Sequence, residues 1–395
     1  MSLNPYIGKL VSPIVTERLE GLGLRVISPE NARNHLSNES DSLLPPLQVF
    51  NWSFFTDLIL GKDIGLAKSY MDGKWDHPDL TALFQHLATR KHSSGSFFDI
   101  FAVNKHIARI LQSIRSKNSR WWASRNIRSH YDFGNEFFSQ FLDESMTYSC
   151  GIFSNPKTTL IEAQHTKIDS LIRKANLKEG DQILDIGCGW GGLILRAAKM
   201  PGVKATGITL SREQYFHTKN LLTNSHLSNN ANVQLLDYRS LKGTFDHIFS
   251  VEMLEAVGHK GLVGFFKKCA ALLHRNGTIQ IQVIAVPDQR YEQYRKNCDF
   301  IQKYIFPGGL LPSLATLNAA ASDNGFTLEH RDAIGHHYAT TLKHWRLKMK
   351  QNRNNLLDLG YSDRTFRRFE YYFSYCEGAF LAEHIQNYQL TYKQS

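Results

Sequence analysis

The residues Leu184-Asp185-Ile186-Gly187-Cys188-Gly189-Trp190-Gly191-Gly192 follow an apolar run and precede a helical stretch, Leu193 to Lys199. The order is strand, glycine turn, helix. Glycines let the chain turn tightly and let a ligand approach the backbone, and the start of the helix offers free N–H groups. A dinucleotide held on such a turn calls for G-x-G-x-x-G and an acidic residue about 20 positions further on, at the end of the second strand. That strand ends Gly207-Ile208-Thr209-Leu210-Ser211, with neither Asp nor Glu, which disfavours NAD. S-adenosylmethionine lacks a pyrophosphate but carries a carboxylate, an ammonium and a sulfonium. Asp185, at the end of the first strand, would have a cationic group of this ligand to pair with. The bland alternative for Asp185 is a helix N-cap.

The surrounding sequence supplies elements that can hold such a turn. Between Asp181 and Gln282 the runs QILDIGCG, VKATGIT, VQLLD, HIFSVEM and TIQIQVIAV are short and apolar, separated by helical stretches. Strands alternating with helices imply an α/β fold with a doubly wound, mostly parallel sheet of Rossmann type. Residues 1–90 mix short apolar stretches with Pro45-Pro46 and a polar run from Asn31 to Ser42, and read as a small accessory domain. Residues 91–127 read as a linker followed by an amphipathic basic helix. Lys91 to Ser96 is small and polar, then Phe97, Ile100, Phe101, Ile107, Ile110, Leu111 and Ile114 recur at helical spacing among Lys105, Arg109, Arg115 and Lys117. Such a helix packs on a catalytic core or lies on a lipid surface. The catalytic domain is then 128–395.

Composition narrows the classes. Apolar residues at 42% and charged residues at 21% are ordinary globular usage across the 395 positions. No apolar run reaches the roughly 18 to 20 residues that span a bilayer, and the N-terminus has no basic stretch followed by an apolar one. Cys150, Cys188, Cys269, Cys298 and Cys376 are an odd set without C-x-x-C spacing, so neither a disulfide framework nor a metal cluster is suggested. These features predict a soluble, cytoplasmic protein. A net charge of +10 favours an anionic partner, nucleic acid or an acidic phospholipid surface. No dense Lys/Arg recognition run and no aromatic-polar base-binding motif accompanies it, so no nucleic acid is expected. A homodimer is a common way to present two sites to one membrane.

Several motifs fall in one order: Tyr148-Ser149-Cys150, Asp185 to Gly192, Thr209-Leu210-Ser211-Arg212-Glu213-Gln214 and Asp237-Tyr238-Arg239. With them come His130 to Phe138, Val251 to Gly258, Tyr304 to Gly309 and Tyr338-Ala339-Thr340-Thr341-Leu342. From about Arg128 onward the chain resembles the cyclopropane fatty acyl phospholipid synthases and mycolic acid cyclopropane synthases. A weaker likeness, Ala67 to Trp75, extends to the small N-terminal domain of the phospholipid-acting members.

The resemblance implies a class I methyltransferase that carries the methyl carbon of S-adenosylmethionine to a cis double bond in a membrane phospholipid's acyl chain. Peripheral association with the membrane follows. It implies cofactor contacts from Tyr148, Ser149, Asp185, Gly187, Gly189, Gly191, Thr209, Leu210, Gln214, Asp237 and Tyr238. It also implies a bicarbonate acting as base, held by Cys150, Glu255, the backbone of Ile284 and Tyr338. Aromatic faces stabilise a carbocation without trapping it, and Phe133, Phe137, Tyr304, Phe306 and Tyr338 are candidates for that wall. The commonest bacterial members have histidine where this chain has Gln282, and also after the glutamate, where this chain has Ala256. Glutamine donates a hydrogen bond but cannot carry charge or shuttle a proton. In these positions, and in Pro287 to Tyr291, the chain looks closer to the plant-type synthases. The resemblance therefore also admits a fatty acyl C-methyltransferase giving a methyl-branched or methylene product. From another class, a lipid-binding protein that has lost catalysis remains as a rival.

Overall fold

In the first apolar run, Leu184 and Ile186 point to one side and Ile183 and Asp185 to the other, the two-residue alternation of a strand buried on both faces. A computed structural model describes residues 4–31, 44–89 and 133–394. The basic helix expected within 91–127 lies outside the described residues, as do His130, Tyr131 and Asp132. The chain divides into two compact units.

The larger unit comprises 131–291, 308–348 and 385–395. Its strands are β1 (Gln182–Ile186), β2 (Lys204–Thr209), β3 (Ala231–Leu235), β4 (Phe245–Val251), β5 (Leu273–Ala285), β6 (Phe326–Ala333) and β7 (Gln386–Gln394). They form one sheet in the order β3-β2-β1-β4-β5-β7-β6, with β7 antiparallel to both of its neighbours. The expected doubly wound, mostly parallel sheet is present. Helices α1 (Leu160–Ala175) and α2 (Gly192–Ala197) cover one face, where Ile168, Leu171 and Ile194 bury Ile183 and Ala205. Helices α3 (Arg212–Asn224), α4 (Gly261–Leu272), α5 (Leu314–Ser322) and α6 (Gly335–Gln351) follow in the chain. On the opposite face Phe265 and Phe266 of α4 and Leu317 of α5 pack on Leu184, Ile248 and Ile281. Strand order reverses between β1 and β4. In open α/β sheets the crevice outside the carboxyl ends of strands at such a point is where ligands bind.

The smaller unit takes its described residues from the N-terminal region and from 292–307 and 349–384. Sequence alone groups the latter two segments with the catalytic domain, 128–395. Packing explains the difference. The helix Asp363–Leu381 lies against Leu80–Thr89 and Ser53–Met71. Phe84 meets Tyr371 at 4.8 Å, and the Tyr70 hydroxyl donates to Glu370 at 2.6 Å. Gly378 makes the helix contact possible: a Cβ there would come within 2.7 Å of the Gln85 backbone nitrogen. Contacts separated by some 300 positions leave no local signature in a sequence.

Candidate active site

The glycine turn leaves β1 at its carboxyl end. Gly187, Gly189 and Gly191 all have positive φ, at 81°, 54° and 89°. A Cβ on Gly187 would lie 2.9 Å from Met253 and one on Gly191 2.5 Å from Thr218, so only glycine leaves the turn open. Asp185 is 2% exposed, and its Oδ1 has no hydrogen-bond partner among the described residues. The N-cap of α2 is Gly191, so the helix-cap alternative for Asp185 falls. Burial raises its pKa to about 7, with Lys167 pulling it down. A buried carboxylate oxygen without a partner, beside a turn that a side chain would fill, fits a ligand with a cationic group.

The neighbouring strand ends carry the other expected contacts. Thr209 closes β2, and its hydroxyl donates to Gln214 at 2.7 Å and accepts from the Ser211 amide. Leu210 stands 74% exposed beside it. Asp237, just past β3, caps the turn at Tyr238–Ser240 and pairs with Arg239, which holds its carboxyl below the usual range. Tyr238 packs edge-on against Phe265. Tyr148 packs against Trp345 and Phe138, and the Ser149 hydroxyl accepts from Lys167 at 2.7 Å.

The residues expected around a base gather on a side chain that the sequence reading did not single out. Glu252 follows β4 with φ at 52°. Its Oε1 accepts from the Cys150 backbone amide at 3.0 Å, the Gln282 side chain at 2.9 Å and the Asn387 side chain at 2.7 Å. Its Oε2 accepts from the Tyr338 hydroxyl at 2.7 Å. Gln282 also donates to the Cys150 carbonyl oxygen and accepts from Gln389. Glu255, three residues on, takes a different position: its Oε1 accepts from the Ile284 backbone amide at 2.7 Å, and its Oε2 is sealed without a partner among the described residues. Burial and the neighbouring Glu252 raise the pKa of Glu255 to about 8. The Cys150 thiol points at the Gly151 carbonyl oxygen, and burial and Glu252 push its pKa well up, away from nucleophile chemistry.

Thus Cys150, Gln282 and Tyr338 come together on Glu252, while Ile284 is engaged by Glu255. Lys167 is the second residue the sequence reading missed. Fully buried on α1, it has its pKa lowered by burial against the pull of Glu252, Cys150, Asp143 and Asp185. A lysine and Gln164 within the stripe Ala163, Ile168 and Leu171 were the available signal, since buried lysines are rare unless paired. Of the aromatic candidates, Phe133 stacks on Phe137 at 4.3 Å and Tyr338 faces Glu252. Tyr304 and Phe306 belong to the other unit, where they pack on Phe300 and Tyr372. Among the described residues no group of His, Cys, Asp or Glu could hold a metal ion, and no helix is long and apolar enough to cross a membrane.

The chain is similar to known proteins over most of its length. Residues 118–390 match the family model of mycolic acid cyclopropane synthetase. The tuberculostearic acid methyltransferase of Mycobacterium tuberculosis is 36% identical over 83% of this chain and 78% of its own length. The cyclopropane-fatty-acyl-phospholipid synthase of Escherichia coli K12 is 33% identical over 88% of this chain and 87% of its own. The crystal structure of mycolic acid cyclopropane synthase CmaA1, complexed with SAH and CTAB, superposes with a TM-score of 0.64 at 33% identity, covering 68% of this chain and 98% of that one. The chain belongs to the mycolic acid cyclopropane synthetase family, enzymes of the class I methyltransferase fold that use S-adenosylmethionine to modify lipids.

Proposed function

We propose that this enzyme transfers the methyl carbon of S-adenosylmethionine to a cis double bond of a phospholipid acyl chain and closes a cyclopropane ring. The observation that carries the reading is the pair of carboxylates, Glu252 and Glu255, anchored at the carboxyl ends of β4 and β5 beside the glycine turn. Methylation of an alkene leaves a cation on the acyl chain, and ring closure needs a nearby acceptor for one proton.

When bound, S-adenosylmethionine supplies an electrophilic methyl group on a sulfonium. Asp185 and the turn from Gly187 to Gly191 would hold it, with Thr209 and Asp237 at the adjacent strand ends. The ring of Tyr338 and the Phe133–Phe137 stack present π faces suited to a cationic acyl chain. The net charge of +10 supports docking on an anionic phospholipid surface.

Bicarbonate, implied by the resemblance, does not fit the donors present. Tyr338, Gln282 and the Cys150 amide are directed at Glu252, and the Ile284 amide at Glu255.

A second reading, acyl C-methylation to a methylene or methyl-branched chain, is favoured by Gln282, whose amide cannot shuttle a proton. It also suits the methyltransferase relative. Incubation with S-adenosylmethionine and vesicles of cis-unsaturated phospholipid, followed by NMR of the released acyl chains, separates the two. High-field ring protons are the expected result. Methylene or methyl-branch signals without them would move the assignment to C-methylation, and an unchanged lipid would refute both.

A further inference from the structure

We infer that the carboxylate of Glu252 is the proton acceptor of the reaction, standing in this chain where the resemblance places bicarbonate. The inference rests on the acyl-methylation reading above. Bicarbonate and a glutamate side chain present the same planar O–C–O anion. Two of the residues assigned to bicarbonate, Tyr338 through its hydroxyl and Cys150 through its backbone amide, are hydrogen-bonded to Glu252, and so is the amide of Gln282, which stands where the commonest bacterial members have histidine.

The two oxygens are not equivalent. Oε1 accepts three hydrogen bonds, which fixes the carboxylate's orientation, whereas the described contacts of Oε2 are limited to the Tyr338 hydroxyl. A carboxylate oxygen has two lone-pair sites, so Oε2 retains acceptor capacity. The residue is partly exposed. Its backbone supplies an independent sign. A left-handed φ of 52° is unfavourable for a glutamate, and such conformations gather at functional sites.

The step balances within the chain and its substrates. A C–H bond of the newly added methyl breaks, and its electron pair forms the C–C bond to the cationic carbon. The proton passes to Glu252 Oε2, giving a neutral acid that returns it to water before the next turnover. No external base is consumed.

The full chain is assayed on cis-unsaturated phospholipid vesicles in buffer stripped of carbon dioxide, then with bicarbonate added. The wild type is expected to run equally in both. Glu252→Gln keeps S-adenosylmethionine affinity but loses turnover by about 100-fold or more, the contribution of a general base. Glu252→Gly, which suits the left-handed backbone, is inert in stripped buffer and regains turnover with bicarbonate. A wild type that needs bicarbonate, or a Glu252→Gln variant that keeps its rate, overturns the inference while leaving acyl methylation intact. Absence of any acyl product refutes the functional reading instead. Isotope-labelled bicarbonate, followed by NMR on the S-adenosylhomocysteine complexes, then still decides the point. Binding to Glu252→Gly alone supports the inference, and binding to the wild type or to neither protein overturns it.

Discussion

Gln282 holds Glu252 from the adjacent strand: its amide donates to the carboxylate at 2.9 Å and to the Cys150 carbonyl oxygen at 3.2 Å, while its own oxygen accepts from Gln389 at 3.0 Å. Gln282→Leu removes all three bonds without changing the volume much. Leaving buried polar groups unsatisfied costs about 1–3 kcal/mol. The expected outcome is a lower unfolding midpoint in denaturant and slower turnover, with S-adenosylmethionine affinity retained because Asp185 is untouched. Calorimetric titration beside an unfolding curve checks both. A variant as stable and active as the wild type would show that Gln282 merely fills space.

Asp185 and Glu255 make the unliganded protein sensitive to alkali. Their folded pKa values are about 7 and about 8, against ordinary values of 3.8 and 4.5. Between these limits the native state holds more protons than the unfolded chain, so stability falls as pH rises. Thermal midpoints of the apoprotein should therefore decline from about pH 5 to pH 8. The double variant Asp185→Asn, Glu255→Gln should flatten the slope. A profile that rises over this window contradicts the assignment.

Two glycines should respond oppositely to alanine. Gly191 has φ at 89° and lies where a Cβ would meet Thr218 at 2.5 Å. Gly191→Ala combines an incompatible backbone with overpacking, the latter alone about 1–3 kcal/mol. It should lose stability and cofactor binding together. Gly264 sits within α4 with open space at its Cβ position. Gly264→Ala should gain about 0.4–1 kcal/mol by restricting the unfolded chain. Denaturant melts of the two variants test the contrast.

The cofactor half of the site was legible because its signals are local. Asp185, the glycine turn and Thr209 lie at strand ends, where polarity and glycine interrupt apolar runs. The base half was not, because it is assembled across strands. Asn387 pairs with Ile284, and Gln389 with Gln282, through antiparallel contact of β7 with β5, about a hundred positions apart. Nothing in either segment announces that register. The resemblance implies Glu255, and nothing in the motif itself distinguishes Glu252, the acid three residues before it. The backbone turn at Glu252, with its positive φ, decides which one meets Gln282. The smaller unit was likewise hidden, since Tyr371 and Glu370 find Phe84 and Tyr70 only in three dimensions.

Lys167 ties the two halves together. Its ammonium lies buried on α1, donates to Ser149 at 2.7 Å, and interacts electrostatically with both Asp185 and Glu252. For Asp185 it is the influence that opposes burial and holds the pKa down to about 7. Binding of a ligand through its cationic group requires Asp185 ionised, so affinity should weaken as pH falls through that value. Lys167→Met keeps an unbranched apolar stem but removes the charge. Desolvation then acts on Asp185 without opposition, and the proton is held to higher pH. The acid limb of S-adenosylhomocysteine binding, measured by fluorescence titration across pH, should therefore move upward in the variant while the alkaline plateau stays in place. If the limb does not move, either Asp185 is not the group that titrates with ligand binding or Lys167 is uncharged in the folded protein and its role reduces to holding Ser149, and a downward move contradicts the assignment of both residues.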